Sequence, residues 1–144
     1  MTEVGFTYAS LMGLGPGYAV QTAARAAALG YTVKTGSELE FFLFKESYDD
    51  AEALDFGGLT PHSAVIEDYH IFQTSKEEGV MRAIRNGLHG AGIPVENSKG
   101  EASPGQEEIN VRYSGALEAA DGHVIVKNGC KEIAMQHGKA ITFM

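Results

Sequence analysis

Residues 36–42 read Gly-Ser-Glu-Leu-Glu-Phe-Phe and lie inside an apolar segment, residues 31–45, that predicts a strand or two strands broken at Gly36. Successive side chains of a strand point to opposite faces. Glu38 and Glu40 therefore share one face, roughly 7 Å apart along the strand. The opposite face carries Leu39, Phe41 and Leu43. The segment thus predicts a sheet with one acidic face and one apolar face.

The acidic face is a costly place for two negative charges. Phe42 and Phe44 lie on the same face as the glutamates, which predicts that this face is at least partly buried. Two carboxylates side by side in such surroundings are unfavourable unless a positive charge lies between them. Mg²⁺ or Mn²⁺ satisfies this need, because both ions accept carboxylate oxygens as ligands. The alternative is that Glu38 and Glu40 line a solvated sheet edge, and their spacing alone does not separate the two interpretations.

A second acidic group lies further along the chain. Glu96, Glu101 and Glu108 fall on or beside two predicted strands, residues 93–101 and 106–113, which a Ser-Pro-Gly turn connects. This turn is expected to bring Glu101 and Glu108 close together. Strands are a poor place for unpaired charge, so five glutamates concentrated on them favour a metal site over five separate surface residues.

Helical patterns cover much of the remaining chain. Three helices are predicted, at residues 19–29, 75–89 and 116–137, and the second begins with a capping box of Ser75 and Glu78. The other segments are a polar loop at residues 46–62 and an apolar strand at residues 139–144. The expected fold class is α+β: an antiparallel sheet that bears carboxylates on one face, with helices on one side.

Composition narrows the choice of partners. The chain has 144 residues, which suits one domain, and a net charge of −8. This charge argues against nucleic acid, since a phosphate backbone requires clustered Lys and Arg. No apolar run reaches the length of a membrane span, so no membrane partner is expected. Cys130 is the only cysteine, which excludes an intrachain disulfide and a thiolate zinc cluster and favours a cytoplasmic location.

The other reactive side chains show no catalytic pattern. Cys130 lies on the apolar stripe of a predicted helix, as is typical of a small core residue. No P-loop motif occurs, so nucleotide binding of that kind is excluded. The five histidines lack metal-ligand spacing and are expected to be structural: His62, His70, His89, His123 and His137. No residue is assigned a catalytic role from sequence.

Two motifs resemble those of the glutamine synthetase family. Residues 36–42 look like its Glu-x-Glu-Phe strand. Val95-Glu96, then Glu101, then Pro104-Gly105-Gln106-Glu107-Glu108-Ile109 is similar to its Glu…Glu-x(4)-Gly-Gln-x-Glu-Ile segment. The order, the spacing and the neighbouring Gly-Gln make the match specific. It extends over residues 24–144 as a partial catalytic domain, behind an unmatched leader at residues 1–23.

The resemblance implies roles for six residues. Glu40, Glu101 and Glu108 match ligands of the metal that orders glutamate and the reacting phosphate. Glu38 matches a ligand of the metal that bridges the ATP phosphates. Two residues match the nucleotide side of the family's site: Glu96 and Tyr69.

The sequence also departs from the family. Many members carry histidines just before the second glutamate, where this chain has Asn97-Ser98-Lys99-Gly100. That difference places it nearer the divergent glutamine synthetase-like ligases, some of which use amines other than ammonia. The family's N-terminal β-grasp domain and the segments that follow residue 144 have no counterpart in the sequence. A chain that ends in a strand is expected to have been cut and to expose apolar side chains among Phe41, Phe42, Phe72 and residues 141–144.

The resemblance implies a glutamate–ammonia ligase that uses ATP and Mg²⁺ or Mn²⁺. The glutamate side chain attacks the γ-phosphate of ATP to form γ-glutamyl phosphate, and ammonia or an amine then displaces phosphate. The alternative is a truncated, non-catalytic domain that keeps only metal binding or is inactive. Family members are homo-oligomers with active sites between the subunits of stacked rings. The same assembly is doubtful for a chain that lacks the domain completing the neighbour's site.

Overall fold

A computed structural model describes residues 16–143 of the protein, with side chains from Val20 onward. The helices of this part are α1 (Pro16–Ala28), α2 (Tyr48–Ala53), α3 (Ile71–Thr74), α4 (Glu78–Gly90) and α5 (Ala116–Gln136). Its strands are β1 (Lys34–Thr35), β2 (Glu38–Leu43), β3 (Val95–Gly100), β4 (Gln106–Val111), β5 (Ser114–Gly115) and β6 (Ile141–Thr142). Residues 1–15 of the predicted leader lie outside the described residues.

The chain divides into two compact units. The described part of the first consists of residues 16–37 and Tyr113–Val124. Here β1 pairs with β5 in antiparallel fashion, with Lys34 opposite Gly115. Gly30 follows α1 with φ at +84°, a left-handed conformation that glycine adopts without steric cost and that commonly ends a helix.

The second unit contains a four-stranded antiparallel sheet in the order β3-β4-β2-β6. It comprises Glu38–Arg112 and residues 125–143. Along the central pair, Leu39 lies opposite Ile109, and Glu40 lies opposite Glu108. Alternation therefore sends Leu39, Phe41 and Leu43 to one face of the sheet, and Glu38 and Glu40 to the other.

The core of the second unit lies on the apolar face of this sheet. Phe41, Leu43 and Ile109 are fully buried there and cluster with buried side chains of two helices. Those helical residues are Val80, Met81, Ile84 and Leu88 from α4 and Val126, Cys130 and Ala134 from α5. The antiparallel sheet with helices on its apolar side is the α+β arrangement that the sequence predicts.

Most predicted elements are confirmed, with differences at their ends. The segment predicted as one strand or two is two strands, β1 and β2, with the break at Gly36. The predicted capping box of Ser75 and Glu78 is wrong: α4 begins at Glu78, its N-cap is Glu77, and the Ser75 hydroxyl donates to the Ile71 carbonyl at 2.8 Å. The segment predicted as a polar loop, residues 46–62, contains the helix α2.

The expected exposure of apolar side chains is only partly met. Phe72 is 72% exposed, but Phe41 and Ile141 are buried in the core and Phe42 is half-buried. Phe41 is buried because it lies on the apolar face of the central strand β2, where α4 and α5 cover the sheet. Met144 lies outside the described residues. Across residues 16–143, no helix has both the length and the apolar character that a bilayer crossing requires.

Candidate metal and nucleotide site

Three of the predicted metal ligands converge on the acidic face of the sheet. Glu40, Glu101 and Glu108 each offer a carboxylate oxygen, and these oxygens lie within 4.8 Å of one another. Oxygens on opposite sides of a hard divalent cation are about 4.2–4.8 Å apart, because each lies about 2.1–2.4 Å from the ion. The three glutamates, called the Glu40 cluster below, therefore match the size of such a cation.

The sheet register produces this convergence. Glu40 on β2 is directly opposite Glu108 on β4, so their side chains leave the same face as neighbours. Glu101 follows the last residue of β3, and its backbone N–H donates to the Gln106 carbonyl at 2.8 Å, which closes the turn between the strands. Gly105 completes the turn with φ at +71°, and a side chain there would come within about 3.0 Å of the Leu43 carbonyl oxygen.

Lys99 supplies the positive charge of the cluster. Its ammonium lies 2.9 Å from Glu101 Oε1 and 2.6 Å from Glu108 Oε2, and it also lies 5.5 Å from the centre of the Tyr69 ring. Gln106 Nε2 donates a hydrogen bond to Glu40 Oε2. Neither Lys99 nor Gln106 was among the predicted site residues. The sequence signal for Lys99 is its place in the Asn97–Gly100 segment, immediately before Glu101.

The electrostatics show how closely these groups interact. Burial, and then the hydrogen bond with Glu101, raises the pKa of Glu108. The hydrogen bonds from Glu108 and Lys99 lower the pKa of Glu101. Partial burial alone would lower the pKa of Lys99, but its hydrogen bonds to Glu108 and Glu101 raise it above the ordinary value. The single ammonium of Lys99 does not neutralise the three carboxylates of the cluster, and the remaining negative charges repel one another.

The donor set fits a hard divalent cation. All three ligand groups are carboxylates, the class that Mg²⁺ and Mn²⁺ prefer. Glu108 is only 1% exposed, and its Oε1 is buried without a hydrogen-bond partner. A buried acceptor without a donor is unfavourable, and a bound cation relieves that cost.

Glu38 is not part of this convergence. It lies on the same face of β2 as Glu40, opposite Asn110, but it does not belong to the group of oxygens within 4.8 Å of one another. Both Glu38 and Glu40 are exposed, so the predicted partial burial of this face applies to Glu108 and not to them. The role predicted for Glu38 stays a prediction.

Tyr69 and Glu96 line one cavity of about 490 Å³ in the second unit. Tyr69 is 71% exposed with φ at +54°, a strained value for a residue that is not glycine. Glu96 is exposed and lies 3.5 Å from the Arg112 guanidinium. The rest of the lining comes from α3, α4, β3 and β4 and from Ser75 between the two helices, and includes Glu78, Arg85 and Ser98. The two residues predicted for the nucleotide side therefore share an opening, and their role stays a prediction.

Comparisons with known proteins agree with this architecture. The family model described as glutamine synthetase, catalytic domain, matches residues 17–144. The gamma-glutamylethanolamide synthetase of Streptomyces coelicolor is 46% identical over 120 residues, which cover 83% of this chain and 26% of that protein. The glutamate–isopropylamine ligase of a Pseudomonas species is 38% identical over 120 residues, with the same coverage of 83% and 26%.

More distant relatives and solved structures give the same result. The glutamine synthetase of Thermotoga maritima is 35% identical over 123 residues, covering 83% of this chain and 26% of that protein. The solved GmaS/ADP complex matches with a TM-score of 0.72 at 29% identity, covering 90% of this chain and 29% of that one. This chain thus spans about a quarter of the length of the curated relatives it matches. It belongs to the glutamine synthetase family, and within that family it lies nearer the glutamine synthetase-like ligases.

Proposed function

We propose that this chain forms the metal-binding and nucleotide-binding part of a ligase that joins ammonia or an amine to the side-chain carboxylate of glutamate at the expense of ATP. The observation that carries the proposal is the Glu40 cluster, three carboxylates within 4.8 Å on one sheet face. Structural roles alone do not account for it, because Glu108 keeps a buried, unpartnered oxygen. A divalent-metal site explains both the clustering and that oxygen.

The residues have distinct tasks in this proposal. The Glu40 cluster would hold Mg²⁺ or Mn²⁺, which when bound neutralises phosphate oxygens during phosphoryl transfer. Glu38 would serve a second ion on the ATP phosphates. Glu96 and Tyr69 would face the nucleotide across the cavity they share. The γ-glutamyl phosphate expected in this chemistry would be formed beside the acidic face and would then be attacked by the amine.

Lys99 must leave its place between Glu101 and Glu108 when a cation binds there. Without metal, the Lys99 ammonium forms ion pairs with both carboxylates. A bound cation would need the same oxygens. The Tyr69 ring, 5.5 Å from the ammonium, offers a cation–π position on the cavity side. From there the ammonium would face the phosphates of a bound nucleotide. The lysine would thus exchange carboxylate partners for an anionic ligand.

The acceptor is expected to be an amine larger than ammonia. Two of the relatives are named for ethanolamide synthesis and for isopropylamine ligation. The Asn97–Gly100 segment also departs from the histidines that the resemblance leads us to expect in many family members. A cytoplasmic location belongs to the same proposal.

The competing proposal is a non-catalytic domain that retains only metal binding. The Glu40 cluster supports this proposal as well, because three converging carboxylates account for metal binding alone. A coupled assay of ADP release separates the two, with glutamate and Mg²⁺ present and ammonium, ethanolamine or isopropylamine as acceptor. Amine-dependent ADP release that Glu40→Gln abolishes and Glu52→Gln retains supports the ligase. Absence of ADP release in every arm, in a chain that binds Mn²⁺, supports the non-catalytic domain.

A further inference from the structure

A second group of carboxylates lies inside the core of the same unit. Glu67, Glu77 and Glu107 each offer an oxygen within 4.8 Å of the other two. The three residues, named here the buried triad, are 0%, 2% and 1% exposed respectively. Glu107 points away from the Glu40 cluster, since it lies beside Glu108 on β4 and successive strand residues face opposite sides.

Four of the six carboxylate oxygens of the buried triad lack hydrogen-bond partners. Glu77 is an unpartnered side chain, because both its oxygens are buried and neither accepts a hydrogen bond. Glu67 Oε2 and Glu107 Oε1 are in the same state. The donors nearby are weak or distant: the Gly105 N–H reaches Glu67 Oε1 at 3.3 Å, and His62 Nε2 lies 3.6 Å from Glu77 Oε1. The triad therefore holds more acceptors than the protein provides donors.

Three carboxylates in this position need protons or a cation. Moving one unpaired charge from water into an apolar interior is highly unfavourable, and like charges nearby add to the cost. A proton shared between two of the carboxylates supplies one donor, but four buried oxygens are without one. A cation satisfies several of them at once.

We propose that Glu67, Glu77 and Glu107 form a divalent-cation site separate from the Glu40 cluster, with His62 as the nearest additional ligand. Their spacing suits an ion about 2.1–2.4 Å from each oxygen. Three carboxylates suit the hard ions Mg²⁺, Ca²⁺ and Mn²⁺, and Mn²⁺ is the probe of choice because it is paramagnetic. The His62 imidazole is half-buried, and its Nε2 lies 3.6 Å from Glu77 Oε1, so it offers a nitrogen at the edge of the triad. This inference does not rest on the ligase reaction.

The surrounding structure fixes the triad and gives it an entrance. Glu67 is held against β3 by Gly100, where a Cβ would lie 2.6 Å from the Glu67 Cβ and 2.7 Å from its carbonyl oxygen. Glu77 is the N-cap of α4, where the helix dipole favours a negative charge. Glu107 also lines the cavity of about 490 Å³, together with Thr74 and Gly100. An ion therefore reaches the triad from that cavity.

Mn²⁺ binding to the 144-residue chain tests the proposal. Electron paramagnetic resonance counts bound Mn²⁺ in the wild type and in three variants: Glu77→Gln, Glu40→Gln and Glu52→Gln. We expect Glu77→Gln to bind one ion fewer than wild type while it keeps the ion lost from Glu40→Gln. Glu52, an exposed residue of α2, is the matched control and should keep the full count. Equal counts for wild type and Glu77→Gln would overturn the proposal.

Crystals of the wild-type chain grown with Mn²⁺ give a second measurement that does not depend on how the variants fold. The expected result is an anomalous peak among the three carboxylates of the buried triad, which added Ca²⁺ weakens. Peaks confined to the Glu40 cluster, or no peak at all, would overturn the proposal and assign the triad to shared protons. The two metal sites lie on opposite faces of β4, so their peaks are distinguishable.

Discussion

Lys99 neutralises part of the negative charge of the Glu40 cluster when no metal is bound. Its ammonium is the only cation within 3 Å of Glu101 and Glu108 among the ion pairs of the described residues. Replacement by methionine keeps the length of the side chain but leaves the nearly buried Glu108 without a counter-charge. We expect Lys99→Met to lower the free energy of unfolding by about 1–3 kcal/mol without metal. Thermal melts measure this loss.

The same variant should respond more strongly to Mn²⁺ than wild type does. Lys99 and a cation compete for the same carboxylate oxygens, so removal of the lysine frees them for the ion. Arg82→Met is the matched control, because Arg82 forms an ion pair with Glu78 at a side chain that is 67% exposed. Its loss should change the free energy of unfolding by no more than about 1 kcal/mol. Equal melting temperatures for Lys99→Met and wild type without metal would contradict the role given to Lys99.

Cys130 is predicted to be an inert core thiol. It is fully buried, and burial raises its pKa from 9.0 to about 12. Thiolate is the reactive form, so burial both lowers its fraction at pH 8 and blocks access of the reagent. Iodoacetamide should therefore label the native chain orders of magnitude more slowly than the chain in guanidinium. The native rate should rise with pH up to about 12, and rapid native labelling with a plateau near pH 9 would show an accessible thiol.

Gly100, the last residue of β3, packs closely against Glu67 and Thr74. A Cβ there would meet the Glu67 backbone and the Thr74 methyl at 2.6–2.7 Å, and backbone atoms cannot move aside cheaply. We expect Gly100→Ala to lower the free energy of unfolding by about 1–3 kcal/mol. Gly79→Ala is the control: it lies in α4 with no atom within 4 Å of its added Cβ, so it should be stabilising by up to about 1 kcal/mol. Urea denaturation of both variants measures the two changes, and a neutral Gly100→Ala would contradict this packing.

Strand elements were predictable from the sequence because their periodicity reports burial directly. In β2 every second residue is apolar, and the sheet buries that side. The start of α4 was not predictable, because the Ser75 hydroxyl donates to the Ile71 carbonyl in the preceding turn and does not cap α4. Helix α2 was missed inside a polar segment, although Ser47 and Asp50 form a capping box there. Local hydrogen bonds that compete with one another cannot be ranked by pattern alone.

The candidate site was predictable only where one strand pair determines it. Glu40 and Glu108 follow from alternation and from the turn before β4. The approach of Lys99 to Glu108 depends on the pairing of β3 with β4, which contains a register shift between Val95 and Asn97 that no pattern reveals. The sequence signal for Glu107 is its place on the same strand face as the apolar Ile109. A charged residue on an apolar strand face indicates a buried charge network.

At the scale of the whole molecule, two groups of carboxylates add to a net charge of −8. Self-repulsion of this kind destabilises a compact state and weakens as salt screens it. Raising NaCl from about 0.05 to 0.5 M should therefore raise the melting temperature modestly, and by the same amount in Glu40→Gln and Glu52→Gln. A divalent ion held by specific ligands should act at far lower concentration. Melts over the NaCl series at constant pH provide the baseline for the metal experiment.

Mn²⁺-dependent melting of wild type, Glu40→Gln and Glu52→Gln tests most directly whether the Glu40 cluster is a metal site. At matched ionic strength, Mn²⁺ about a hundredfold above its dissociation constant should stabilise wild type and Glu52→Gln by about 2–3 kcal/mol through this site. Glu40→Gln should lose that gain and, with less repulsion, should melt at or above wild type without metal. An equal Mn²⁺ response in all three proteins would contradict a metal site at Glu40.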